Sequence, residues 1–130
     1  TGLTTSEINE RAVYHAISAR PYKRMIEKLV DQLRNARERT TERLLDAGMA
    51  PVAKPRGGMF VSGGWDIAPT AKFNGKLIAD RALKAGILLS PNEFFMLRES
   101  DSIWFRFNVA YAADAPLLTD FLKTVRKEMA

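Results

Sequence analysis

The sequence predicts an α/β (α+β) two-layer fold: a small, mainly antiparallel sheet with helices on one face, led in by a long N-terminal linking helix. Three observations carry this. Apolar residues step by three and four over residues 25–47 and again over 117–129, the period of helices with one buried face. Short apolar runs at 59–61, 87–91 and 103–111 are bounded by glycine, proline and polar loops, as strands are. The resulting order is two helices, strand, helix, strand, strand, helix. A sheet covered on one side by helices is the simplest packing for that order, with the other face left for a partner domain.

Each element has its own warrant. Residues 4–20 are expected to be helical. Thr4 and Glu7 have capping-box spacing, and Ile8, Val13 and Ile17 form a loose stripe. Pro21 predicts a break at Arg20-Pro21. A long helix over 22–47 follows, its stripe running Met25/Ile26, Leu29, Leu33, Ala36, Thr40, Leu44 and Ala47, with Gly48 as a left-handed C-cap. After a proline-containing loop, Met59-Phe60-Val61 reads as a strand between Gly57-Gly58 and Gly63-Gly64. Residues 72–85 predict a helix with Leu77, Ile78, Ala82 and Ala85 inward and Gly86 as cap. Ile87 to Pro91 is a short strand, 92–102 a loop, and 103–111 the last strand. Asp114 suits an N-cap before a helix over 115–129.

Composition bounds the function classes. The 130 residues fit one core, with 46% hydrophobic and 27% charged residues. No apolar run approaches the roughly 18 residues of a membrane span, and the N-terminal stretch lacks a signal-peptide pattern. The absence of cysteine excludes thiolate and disulfide chemistry from this chain and suits a reducing, cytoplasmic compartment. A single histidine, His15, excludes a His-rich metal site and reads as a surface or interface residue. The net charge of +5 raises nucleic-acid binding. However, Arg34, Arg37, Arg39 and Arg43 interleave with Asp31, Glu38 and Glu42, which favours a solvated helix face with i,i+4 pairs. The five methionines read as core filler. The missing initiator Met suggests a piece of a longer chain.

The last strand, IWFRFNVAY over 103–111, holds the chemistry. Strand alternation puts Phe105, Phe107, Val109 and Tyr111 on one face, and Trp104, Arg106, Asn108 and Ala110 on the other. A guanidinium keeps its proton, so a partly buried Arg106 needs an anion or carbonyl partner, and its fork matches a carboxylate in bidentate fashion. Position alone leaves open an intrachain ion pair, an arginine snorkelling to solvent, or an external anion.

Three segments together resemble the C-terminal small domain of fold-type-I pyridoxal-phosphate (PLP) enzymes, the class I/II aminotransferases. Pro55-Arg-Gly-Gly-Met-Phe60 is similar to the family's P-x-G-G-x-F strand. Ala85-Gly-Ile-Leu-Leu-Ser-Pro91 with Phe94/Phe95 is similar to its A-G-V-x-x-x-P-G-x-x-F strand and loop. Arg106-Phe-Asn-Val-Ala110 resembles its R-[ILF]-x-x-A strand. The likeness covers roughly residues 20–130 and departs at Asn92, where the family has glycine. Asn92 tolerates the left-handed region, so the turn is expected to survive. The string L-L-S-P-x-x-x-F with W-F-R-F-N-V-A-Y, and the front segment TSEINERAVYHAISARPYKRMIEKL, are most similar to aminotransferase-like domains behind a GntR-type winged helix, the MocR-type transcription regulators.

The resemblance implies a helical linker over 1–20 and the small domain over 21–130. It implies that Arg106 grips the carboxylate of an amino-acid-like ligand, with Gly57, Gly58, Trp104 and Asn108 as possible walls. The PLP of the parent, its Schiff-base lysine and its phosphate cradle would belong to a missing large domain. Lys54, Lys72, Lys76 and Lys84 read as solvated charge, and this chain alone is expected to be inactive and to bind no PLP tightly. Trp65 and Trp104 are expected at the junction with that missing half. The parent would be a homodimer, with DNA bound only through an upstream domain and no membrane contact. A free-standing aminotransferase, and a basic, helix-rich interaction module unrelated to PLP, are the alternatives.

Overall fold

The computed structural model describes residues 5–98 and 100–129, and the expected cap at Thr4 lies outside them. Among the described residues the helices and strands follow in order: α1 (Glu7–Ser18), α2 (Arg20–Asp46), β1 (Ala50–Pro51), β2 (Phe60–Trp65), α3 (Gly75–Lys84), β3 (Ser90–Pro91), β4 (Ile103–Asn108), α4 (Val109–Ala112) and α5 (Pro116–Met129), with a 3-10 turn (Asn92–Phe94) between β3 and β4. Two compact units divide within α2, between Gln32 and Leu33.

In the first unit α1 buries no residue. Its end is set by Ala19, whose extended backbone breaks the helix one residue before the predicted place. The Ala19 carbonyl accepts the N–H groups of Tyr22 and Lys23, so α2 starts at once. Pro21 then sits in the first turn, where a missing N–H costs no bond. His15 is exposed and packs edge-on against Tyr14.

In the second unit the sheet is antiparallel throughout, in the order β1-β2-β4-β3. The central pair is registered from Phe60 opposite Asn108 to Trp65 opposite Ile103. One face of this pair is the core. Val61, Trp65, Ile103, Phe105 and Phe107 are buried with Leu44 of α2, Ile78 and Ala82 of α3, and Leu118, Leu122 and Val125 of α5. Phe105 has no exposed surface, and the Trp65 ring meets it edge-on at 6.3 Å. Burying a side chain of this size contributes about 2–3 kcal/mol. Alternation along β4 explains the arrangement: Ile103, Phe105 and Phe107 go in, while Trp104, Arg106 and Asn108 go out.

The C-cap expectation holds at Gly48 (φ 71°), where a side chain would be strained. Several other expectations change. The strand at 59–61 runs instead from Phe60 to Trp65, through the glycines read as its end. Gly64 lies in the ladder because it faces Trp104, and any Cβ there would strike Ile103 O and Trp104. A two-residue strand, Ala50–Pro51, occupies the loop after α2, and of the run 87–91 only Ser90 and Pro91 pair with β4.

The strand over 103–111 stops at Asn108. Its Oδ1 accepts the Ala110 N–H at 3.0 Å, capping the turn α4, so Tyr111 is exposed rather than packed. Asn74 likewise moves the start of the third helix from 72 to 75 by accepting from Leu77 N. Leu77 and Ala85 are exposed, leaving Ile78 and Ala82 as the inward residues. Asn92 opens a 3-10 turn, and no described non-glycine residue has positive φ, so the left-handed turn is not used. Trp65 is 2% exposed and donates to Ala47 O, which makes it core rather than junction. Of the methionines, Met49 is buried, while Met25, Met59 and Met96 are exposed. Arg37 bonds to Gly58 O and Arg39 pairs with Asp114, so these two leave the helix face rather than make i,i+4 pairs.

Candidate ligand-binding face around Arg106

Arg106 is exposed on the outer face of β4, away from the core. Its neighbours across the sheet are Ser62 on β2 and Ser90 on β3. Two small hydroxyl residues therefore leave open space on either side of the arginine stem.

Two phenyl rings flank the guanidinium. Its central carbon lies 4.5 Å from the Phe60 ring centre and 4.1 Å from that of Phe95. Phe60 reaches it diagonally, since it pairs with Asn108 two residues along. Phe95 comes from the loop after the 3-10 turn and also stacks on Trp104, with ring centres 6.4 Å apart and planes 23° apart. Each cation–π contact at an exposed site is worth about 0.5–1 kcal/mol. Together they restrict a side chain that otherwise carries about 2 kcal/mol of rotamer entropy.

Rings attract a guanidinium over its faces and leave its N–H edges free. Among the described residues no acidic side chain pairs with Arg106, and none accepts a hydrogen bond from it. Asn108 stands two residues along on the same face. Its Oδ1 accepts from Ala110, and its amide N–H groups are donors on this face. The outer face thus presents charged and neutral donors and suits an oxyanion.

A cavity of about 480 Å³ opens here, lined by Phe60, Ser90, Arg106, Asn108, Tyr111 and Leu117 among others. Among the described residues no lysine, aspartate or glutamate lines it. Lys54, Lys72, Lys76 and Lys84 are all exposed elsewhere. These residues do not fit PLP, which needs an imine-forming lysine, a partner for the pyridine nitrogen and a phosphate cradle together. Among the described residues no cluster of His, Asp or Glu could hold a metal.

The structure brings Arg106 and Asn108 into one cavity. Trp104 shares their sheet face but lines a separate depression with Gly64 and Pro51, and it reaches the arginine only through Phe95. Gly57 and Gly58 lie before β2 and do not line the cavity. Sequence reasoning did not find the roles of Phe60, Phe95 and Ser90. The signal for Phe60 was its place on a strand that could pair with β4; Phe95 stood out only through the P-G-x-x-F likeness, which says nothing of a contact with Arg106.

No protein-family model matches the chain, and no curated protein matches it.

Proposed function

We propose that the outer sheet face is one wall of a ligand site at which Arg106 binds the carboxylate of an amino-acid-like molecule. In this reading the chain is the C-terminal lobe of a PLP-dependent aminotransferase-like protein of the GntR/MocR regulator type. A missing large domain supplies the cofactor, and the ligand biases domain geometry and hence DNA affinity. The observation that supports it is the Arg106 guanidinium, flanked by Phe60 and Phe95, with no acid of the described chain on its N–H edges. An arginine paired with an acid of its own chain has its N–H edges occupied. This one is oriented by rings, which fix its plane without consuming its donors.

What these residues do is bind and orient. Arg106 takes the two carboxylate oxygens as a fork, and Asn108 is a second donor beside it. The phenyl rings keep water from the guanidinium faces, which strengthens the in-plane contact. Losing a charge-assisted contact of this kind costs about 1.5–3 kcal/mol, roughly 10- to 150-fold in affinity. The test is Arg106→Ala and Arg106→Lys in the parent protein, with amino acids titrated by calorimetry. The expected result is a loss of that size in Ala and a partial loss in Lys, whose point charge cannot make the fork. Unchanged affinity in both removes Arg106 from the site.

A further inference from the structure

The cavity beside Arg106 has a polar end and an apolar remainder. Among the described residues Arg106 is the one charged side chain in its lining, and Ser90 and Asn108 are polar side chains near it. The rest is hydrocarbon and aromatic, save for the Tyr111 hydroxyl. Leu88, Tyr111 and Leu117 all line it, and they are 84%, 79% and 58% exposed. Two leucines and a tyrosine left this open beside a cation that no described acid pairs with form an amphipathic groove rather than a scatter of surface apolar residues. The volume falls within the roughly 300–1,000 Å³ of small-molecule sites.

We propose that this groove selects monocarboxylates carrying an uncharged, apolar chain, the carboxylate at Arg106 and the chain along Leu88, Tyr111 and Leu117. This rests on the carboxylate-binding reading and deepens it by naming what the ligand's other end must be. With no second cation among the described lining residues, the distal anion of a dicarboxylate finds no opposite charge. With no acidic side chain among the described lining residues, a distal ammonium meets only neutral groups, the Tyr111 hydroxyl among them. An apolar chain, by contrast, covers leucine surface that the chain leaves in water. Charge complementarity fixes one end of the ligand and hydrophobic burial the other.

The test uses the 130-residue chain and the series acetate, butyrate, hexanoate and 3-phenylpropionate, with glutarate as the dianion. Binding is read from chemical shifts of the Arg106 side-chain N–H and from Trp104 fluorescence. Affinity is expected to rise about two- to fourfold per methylene, the range for partly to fully buried CH2 groups. Hexanoate should bind at least tenfold tighter than glutarate. Leu88→Ser and Leu117→Ser, both at exposed positions, should flatten the rise. Arg106→Gln should weaken every member. Arg106-dependent binding that ignores chain length overturns the groove while leaving the carboxylate reading intact. Binding that ignores Arg106 overturns that reading itself. A rise with chain length that persists unchanged in both leucine variants overturns the groove as its cause.

Discussion

Gly64 carries a sharp prediction about the sheet. It pairs with Trp104 across the two central strands, and a methyl group at this position would lie 2.7 Å from the Trp104 Cα and closer still to Ile103 O and the Trp104 Cβ. These are backbone and near-backbone atoms, so no rotamer change relieves the overlap. Strands β2 and β4 must separate locally, in a ladder of six registered pairs. Overpacking of this kind costs typically about 1–3 kcal/mol. Reduced entropy of the unfolded chain returns about 0.4–1 kcal/mol of it. Gly64→Ala should therefore lose about 1–2 kcal/mol net. Gly57 is the control, because nothing lies within 4 Å of a Cβ there and its φ is not positive. Gly57→Ala should be neutral or slightly stabilising. Urea unfolding followed by the fluorescence of Trp65 and Trp104 reads both. With a slope of about 2 kcal/mol per M, the Gly64 variant should shift the midpoint down by roughly 0.5–1 M. A Gly64→Ala protein unfolding at the Gly57→Ala midpoint would refute the close approach of the two strands.

Two further outcomes follow from caps and charge. Asn74→Ala removes the acceptor of the Leu77 N–H at 3.0 Å and should cost about 1 kcal/mol in the same assay, with Asn74→Ser recovering most of it. Arg81 grips Glu128 through contacts of 2.8 and 3.0 Å, and this hydrogen bonding holds the Glu128 carboxyl below its ordinary value of 4.5. A depressed folded-state pKa stabilises above the unfolded value and loses that stabilisation as pH falls through the folded one. A carboxyl NMR titration should place the Glu128 midpoint below 4.5, and Arg81→Gln should bring it back.

Helix stripes were legible in part: Ala36, Thr40 and Leu44 on α2, and Leu118, Leu122 and Val125 on α5, are buried at the positions their spacing demands, whereas Met25 and Leu29 of the same α2 stripe are exposed. The alternation of β4 was legible too, and it set Arg106 on the outer face. What failed was local punctuation overruled by packing. Gly63 and Gly64 look like a strand end, yet Leu44 and Trp104 lie where their side chains would be, so bare backbone is what the ladder needs there. The strand appeared to continue to Tyr111, but the Asn108 side chain competes for the Ala110 N–H and turns the backbone. The partners of Arg106 were harder still. Phe95 stands on a loop without periodicity, and its contact with the guanidinium depends on how that loop folds back over Trp104.

The two outermost strands are each only two residues long, and each contains a proline, Pro51 on one side and Pro91 on the other. An exposed sheet margin is ordinarily a template on which a further chain can add itself, the first step toward domain swapping or fibrils. Here both margins are short and interrupted by a residue with no amide proton to give. Accretion of one copy onto another by backbone pairing is thereby disfavoured at both sides, and assembly is steered toward side-chain surfaces instead.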